Sequence, residues 1–200
     1  MRVLETADAE YVTVDFVSQL WSFIQRWDSR TEQQAVRTAV PSGIAGRIST
    51  PTLPIGLGHL LTCWHPNFGG YVEPGVRRLI GLLITKLNCV TYSSCEGHAT
   101  ENVSDTLLRY VSIVCRNDDE QRQYQKVLEA LTSDFNQRSI NRVKSLIETG
   151  FVDTDDGERA NSINVIFTTS ETGLQTYLED VDTSYEWFCD LVEQLPSRYN

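Results

Sequence analysis

Residues 88–98 read NCVTYSSCEGH, and residues 107–115 read LLRYVSIVC. Both runs are short and rich in β-branched, aromatic and apolar residues, which is typical of strands. The second run is apolar on both faces, so it predicts a strand in the interior of a sheet. One face carries Leu107, Val111, Ile113 and Cys115, and the other face carries Tyr110 and Val114. We therefore predict two strands joined by a short polar loop.

The segments on either side of these strands have mainly helical periodicity. Before them, Pro74 suits the first position of a helix, and an apolar stripe runs from Val76 to Leu87. After them, Asn117 and Glu120 form a capping pair for a helix that reaches Phe135. The spacing of Ile140, Val143 and Ile147 predicts another helical stretch ending at Gly150, followed by a strand at 163–167 and a helix or helix pair at 174–195. This order predicts an α/β (α+β) fold, with a small central sheet and packed helices.

The N-terminal part of the chain differs in character. Its periodicity predicts one helix from Tyr11 to Trp27 and a shorter one from Thr31 to Thr38. Residues 41–58 hold three prolines and four glycines, which is typical of a loop or arm. We expect residues 1–58 to form an N-terminal helical extension with a Pro/Gly-rich arm, and residues 59–200 to form the main α/β domain.

Composition limits the classes of function. The net charge is −10, which disfavours non-specific nucleic-acid binding and favours a basic protein partner. The five cysteines are odd in number and widely spaced, which is typical of a reducing compartment. With no signal peptide or membrane-spanning run in the sequence, we expect a cytoplasmic protein.

The loop Ser93–His98 is the best candidate for a functional site, because it gathers two hydroxyls, a thiol, a carboxylate and an imidazole. An imidazolium near a thiol lowers its pKa, so Cys95 and His98 suit nucleophilic chemistry, with Glu96 as a base or orienting carboxylate. Other residues are predicted to bind a small molecule or nucleotide, with Gly97 permitting close backbone approach. These ligand-binding residues are Ser93, Ser94, Gly97, His65 and Arg77.

The same residues permit other hypotheses. Cys63, His65, Cys95 and His98 have the right chemistry for tetrahedral zinc, although their spacing matches no known finger. The chain is alternatively an acidic regulatory protein that binds a partner protein through its N-terminal region. A purely structural role also explains the loop, as a polar turn with a half-buried cysteine. The residues alone leave open whether the chain is an enzyme.

The helix, strand and loop at 77–98 resemble the tRNA wybutosine-synthesis methyltransferase family, which carries a Ser-Ser-Cys-Ser-Gly-Arg signature in this setting. Ser93, Ser94, Cys95 and Gly97 match the signature, whereas Glu96 and His98 replace a serine and an arginine. The resemblance implies an α+β fold and group transfer from S-adenosylmethionine to a modified tRNA base. The cofactors to be considered are therefore S-adenosylmethionine and zinc.

Overall fold

A six-stranded sheet is the central feature of the part of the chain that the structure describes. This structure is a computed structural model, and it describes residues 2–4, 12–17, 20–30, 40–41, 48–49, 62–66, 68–97, 108–138, 142–154, 157–169 and 174–196. The strands are β1 (Arg2–Leu4), β2 (Val12–Val17), β3 (Val40–Pro41), β4 (Ile48–Ser49), β5 (Val90–Cys95), β6 (Arg109–Val114), β7 (Val143–Thr154) and β8 (Arg159–Thr169). The α-helices are α1 (Leu20–Asp28), α2 (Phe68–Tyr71), α3 (Arg77–Leu87), α4 (Asp118–Arg138) and α5 (Leu174–Glu193), with a 3-10 turn at Pro74–Val76.

The strand order in the sheet is β1-β2-β7-β8-β6-β5. The strands β7, β8, β6 and β5 pair antiparallel, and β2 lies parallel to β7. Strands β3 and β4 form a separate two-stranded pair. Strand β5 is at the edge of the described sheet, where it pairs with β6.

Helices α3, α4 and α5 cover one face of the sheet, which we call the helix face. The main apolar core lies between them. Strand residues Val111, Ile113, Ile163, Val165 and Phe167 are fully buried there. Phe167 contacts the rings of Phe135, Tyr185 and Phe188 edge-on.

Helix α1 lies on the opposite face of the sheet. Its buried residues pack against Val90, Val114, Val152 and Ala160 in a second, smaller core. Arg116 ties this layer to the rest of the fold, because its guanidinium contacts Asp28 of α1, Glu120 of α4 and the carbonyl oxygen of Asn88.

Local sequence signals explain where the helices begin and end. Asn117 Oδ1 accepts a hydrogen bond from the Glu120 N–H at 2.9 Å, which confirms the predicted cap of α4. Helix α3 ends at Asn88, which adopts a left-handed conformation at φ 60°. Asn tolerates this conformation better than most residues. The N–H groups of Asn88 and Cys89 then satisfy the last carbonyls of α3.

One predicted helix is wrong, and another is confirmed only in its second half. Residues 12–17 form β2, and the helix predicted from Tyr11 begins only at Leu20. Residues 143–154 form β7 instead of a helix ending at Gly150, because pairing with β8 along eleven residue pairs outweighs the helical spacing of Val143 and Ile147. Helix α5 is continuous through residues 182–184. The short helix predicted at 31–38 lies outside the described residues.

The α+β fold class, with helices packed on a mainly antiparallel sheet, is confirmed. The strands predicted at 89–93, 107–115 and 163–167 correspond to β5, β6 and β8. The domain boundary near residue 58 stays a prediction. Among the described residues, no helix has the length and apolar character needed to cross a membrane.

Candidate functional site

The sheet face opposite the helix face carries polar side chains in its middle, and the Ser93–His98 loop begins at its edge. We call this patch the polar face, and define it by two cross-strand rows. One row is Ser93, Ser112, Asn164 and Glu148, and the other is Cys95, Tyr110, Ile166 and Leu146. Helix α1 covers the neighbouring part of the sheet at Val114 and Ala160.

The first row contains a buried hydrogen-bonded pair. The Ser112 hydroxyl donates to Asn164 Oδ1 at 2.6 Å, and the two residues are 2% and 8% exposed. Since Asn164 uses its oxygen here, its amide nitrogen keeps two donors. Among the described residues these donors have no partner. Exposure then increases along the row to Glu148, which lies on the surface.

The second row is more apolar. Ser93 Oγ and Tyr110 Oη lie 3.1 Å apart, so the hydroxyls link the two rows. Tyr110 and Ile166 are half-buried, and Leu146 is 45% exposed. The buried polar groups of the first row are the informative feature here, because single exposed apolar residues are normal on protein surfaces. An irregularity in β5 between Thr91 and Ser93 sets this arrangement, because it places Ser93 opposite Ser112.

Glu96 fixes the loop to the turn before α3. Its carboxylate accepts the Gly75 N–H at 2.8 Å, and its own N–H donates to Glu73 Oε2 at 2.6 Å. A Cβ at Gly75 would come within 2.8 Å of the Glu96 Cβ. This close approach therefore requires glycine at position 75.

Arg109 holds the loop from the other side. It is 4% exposed, and its Nε donates to the Glu96 carbonyl oxygen at 2.7 Å. Its guanidinium also pairs with Asp182 at 2.5 Å and lies over the Tyr185 ring at 4.8 Å. The backbone of the loop is thus held by a charge-assisted hydrogen bond in a buried setting.

Cys95 is 7% exposed, and the Gly97 N–H lies 3.4 Å from its sulfur. Burial raises the pKa of the Cys95 thiol, and the charges of Glu73 and Glu96 raise it further, against the lowering effects of Gly97 and Arg109. The described surroundings thus favour the protonated thiol. Its predicted activator, His98, lies outside the described residues, so the nucleophile hypothesis stays a prediction.

The other predicted site residues are dispersed. Ser94 pairs opposite Val111 and so faces the helices. Gly97 has a φ of 88°, which glycine adopts without strain. Arg77 is exposed and donates to the Val72 carbonyl oxygen at 2.7 Å. His65 is half-buried in a turn between Thr62 and Phe68.

Metal binding finds no support in the described part of the chain. There, no group of three or more His, Cys, Asp or Glu residues could hold a metal ion. Cys63 packs beside the smaller core, under α1. The zinc hypothesis also needs His98, which the structure does not describe, so it stays a prediction.

A shallow cavity of about 700 Å³ lies away from the loop. Residues of α1 and its C-terminal end line it, namely Ser22, Gln25, Arg26, Asp28 and Ser29. Because one helix supplies the whole lining, no groups from different elements converge there as they do in a typical ligand site.

Sequence reasoning missed several residues of the site. Tyr110, Ser112 and Asn164 on the polar face were not predicted, nor was Arg109 behind the loop. One signal was available, since Ser112 and Asn164 each interrupt an apolar strand at a position facing away from Ile113 and Val165. Their pairing depends on the register of β6 and β8, which the sequence does not reveal.

Comparison of the chain with protein-family models, with curated proteins and with solved structures found no significant match.

Proposed function

We propose that this protein binds a small molecule on the polar face, beside the Ser93–His98 loop. The observation that carries the proposal is the buried pair Ser112–Asn164, joined at 2.6 Å in the middle of a sheet. The same strands carry Ile113 and Val165 on the other face. A serine and an asparagine buried at these positions need hydrogen-bond partners, and this pair leaves the Asn164 amide N–H groups to donate to another group.

The chemistry of the polar face favours a ligand with a flat apolar part and a polar edge. Tyr110, Ile166 and Leu146 offer an apolar surface that is partly exposed. The Asn164 amide donors and the Ser93 hydroxyl offer hydrogen bonds beside it. A nucleoside has both parts, so we infer a nucleoside-like ligand.

The negative charge of the protein narrows the class of ligand further. The chain carries a net charge of −10, and Glu148 ends the polar row. A ligand that is neutral or positively charged is therefore favoured over one rich in phosphate. S-adenosylmethionine is a nucleoside with a sulfonium cation, so it satisfies both requirements.

Group transfer is the reaction class that the loop signature supports. The resemblance of Ser93, Ser94, Cys95 and Gly97 to the wybutosine-synthesis methyltransferases carries this part of the proposal. Within the loop, Glu96 is held by hydrogen bonds with Glu73, Gly75 and Arg109. Its backbone therefore sets the position of the loop whatever the reaction.

The test is thermal denaturation and calorimetric titration of the full chain with S-adenosylmethionine, adenosine, cytidine and adenosine triphosphate. We expect the uncharged or cationic nucleosides to raise the Tm, and the triphosphate to have the smallest effect. Ser112→Ala should weaken binding about tenfold, since a lost hydrogen bond is worth about 1.4 kcal/mol.

Ser145→Ala is the matched control. Ser145 is also a fully buried serine in the sheet, and its hydroxyl lies 3.2 Å from Thr132 on the helix face. This variant should lose similar stability and keep its affinity. Equal loss of affinity in both variants, or no binding of any of these compounds, would count against the proposal.

A further inference from the structure

Two cysteines, Cys89 and Cys115, lie just beyond the last pair of β5 and β6, near the end of α3. Val90 and Val114 are the last pair of the antiparallel ladder, and Cys89 and Cys115 are the next residues outward on the two chain segments. Neither is in a disulfide, and they are 0% and 1% exposed. Both belong to the core on the helix face, so they lie on the same side of the sheet.

The backbone hydrogen bonds determine what kind of pair this is. The Cys115 N–H donates to the Asn161 carbonyl oxygen at 2.8 Å, so the Cys115 backbone is directed toward β8. The Cys89 N–H donates to the Leu83 carbonyl oxygen at the end of α3. Neither N–H is directed across the β5–β6 ladder, so the cysteines form a non-hydrogen-bonded pair.

Such pairs have the geometry that a disulfide needs. Their Cα atoms are about 4.5 Å apart and their side chains are closer than in hydrogen-bonded pairs. Disulfides span Cα separations of about 4.4–6.8 Å. A bond between the two sulfurs would thus form with little movement of the backbone.

We propose that Cys89 and Cys115 are a dithiol that oxidises to a disulfide, covalently tying the edge strand β5 to β6. With a low-molecular-weight disulfide as oxidant, one protein thiolate attacks that disulfide and releases one thiol. The second protein thiolate then attacks the mixed disulfide and releases the other thiol. Two protein thiols thereby become one disulfide, and the oxidant is reduced to two thiols.

Burial controls the rate of this reaction. Burial raises the pKa of Cys115 to about 12, so little reactive thiolate is present in the closed protein. Reaction therefore requires local opening at the end of the edge strand, where a strand paired on one side opens most easily. The disulfide would then hold in place the strand that carries Ser93 and Cys95.

The test is to equilibrate the full chain in buffers of reduced and oxidised glutathione over a range of ratios. The folded protein is incubated in one series, and in a second series the reduced, unfolded protein is refolded in the same buffers, so that equilibrium is approached from both sides. Acid quenching, alkylation, intact mass and peptide mapping then identify the bonds. We expect one cross-link, between residues 89 and 115, and a higher Tm for the oxidised form.

Three variants separate this pair from the other thiols. C89S and C115S should each lose the cross-link completely, and C189S should keep it, because Cys189 is equally buried but lies on α5. Cys63 is half-exposed and should give a glutathione adduct in every variant that retains it. Cys89 and Cys115 alkylated in every buffer of both series, or cross-linked to other partners, would overturn the proposal. Peptide mapping of the unmodified chain decides the matter even if a serine variant fails to fold.

Discussion

The two faces of the sheet use the same strands in different ways. In β6 and β8, Ile113, Val165 and Phe167 on the helix face are fully buried under three helices. Between them, Ser112 and Asn164 are directed to the other face and are buried as a hydrogen-bonded pair. The helix face therefore serves folding by apolar packing, whereas the other face, beyond the part that α1 covers, keeps polar groups that packing does not require.

This difference shows why burial alone does not identify a core. Ser112 is 2% exposed, close to its fully buried neighbours. An apolar side chain at that position would gain transfer free energy, whereas a hydroxyl needs a partner. The choice of a polar pair at this place is consequently the strongest pointer to function in the described structure.

The largest difference between the faces should appear on truncating adjacent residues of β8. Phe167→Ala removes a ring that contacts Phe135, Tyr185 and Phe188 at centroid distances of 6.2, 5.2 and 5.2 Å. We expect a loss of about 3–5 kcal/mol in the free energy of unfolding, from lost burial and the cavity left behind. Urea denaturation followed by tryptophan fluorescence measures it.

Ile166→Ala is the matched truncation on the polar face, one residue away. Ile166 is half-buried and its cross-strand neighbours are Tyr110 and Leu146. The variant should lose about 1 kcal/mol in the free energy of unfolding, because Ile166 buries less apolar area on folding and its truncation leaves no closed cavity. Equal losses for the two variants would show that both faces are packed cores, and the comparison would be wrong.

Alkaline pH should lower the free energy of unfolding mainly through groups on the helix face. Burial raises the pKa of Cys115 and of Cys189 to about 12, and it also raises the pKa of the Tyr124 and Tyr185 hydroxyls. A raised thiol pKa means that the stabilisation is complete below the unfolded pKa and is lost as pH rises toward the folded pKa. Stability should therefore fall above about pH 8.5, by about 1.4 kcal/mol per pH unit for each thiol.

Urea denaturation at several pH values between 8 and 10, under reducing conditions, tests this slope. The double variant Cys115→Ala, Cys189→Ala should have a flatter slope, with Cys95 still contributing in the same direction. The comparison is clearest below about pH 9, where the tyrosines of the unfolded chain are still mostly protonated. A slope unchanged in the double variant would mean that other groups cause the alkaline loss.

Much of the fold could be predicted because it depends on local patterns. The apolar stripe of α3, the Asn117–Glu120 cap of α4 and the strand composition of β5 and β6 are all local signals. Strands β2 and β7 were mistaken for helices because their apolar residues also match helical spacing. Their pairing with each other joins Val14 to Phe151, far apart in sequence, and no local pattern reveals it.

The site was predictable only in part, for the same reason. The Ser93–His98 loop has an unusual local composition, so the sequence indicated it. Its support comes from Glu73, Gly75 and Arg109, which reach it through tertiary contacts. The polar face depends on the register that sets Ser112 beside Asn164, and this register became visible only in the folded sheet.

The smallest change in stability should come from replacing both members of the polar pair. Ser112→Ala alone leaves Asn164 Oδ1 buried without its donor, and should cost about 1–3 kcal/mol. The double variant Ser112→Ala, Asn164→Leu removes both polar groups and should return close to the stability of the unaltered chain, because apolar groups of similar shape can replace a hydrogen-bonded pair almost without loss. Urea denaturation of the two single variants and the double variant gives the coupling between the residues. A stable double variant that no longer binds nucleosides would show that the pair is retained for binding, whereas a double variant as unstable as the sum of the singles would assign the pair to the core.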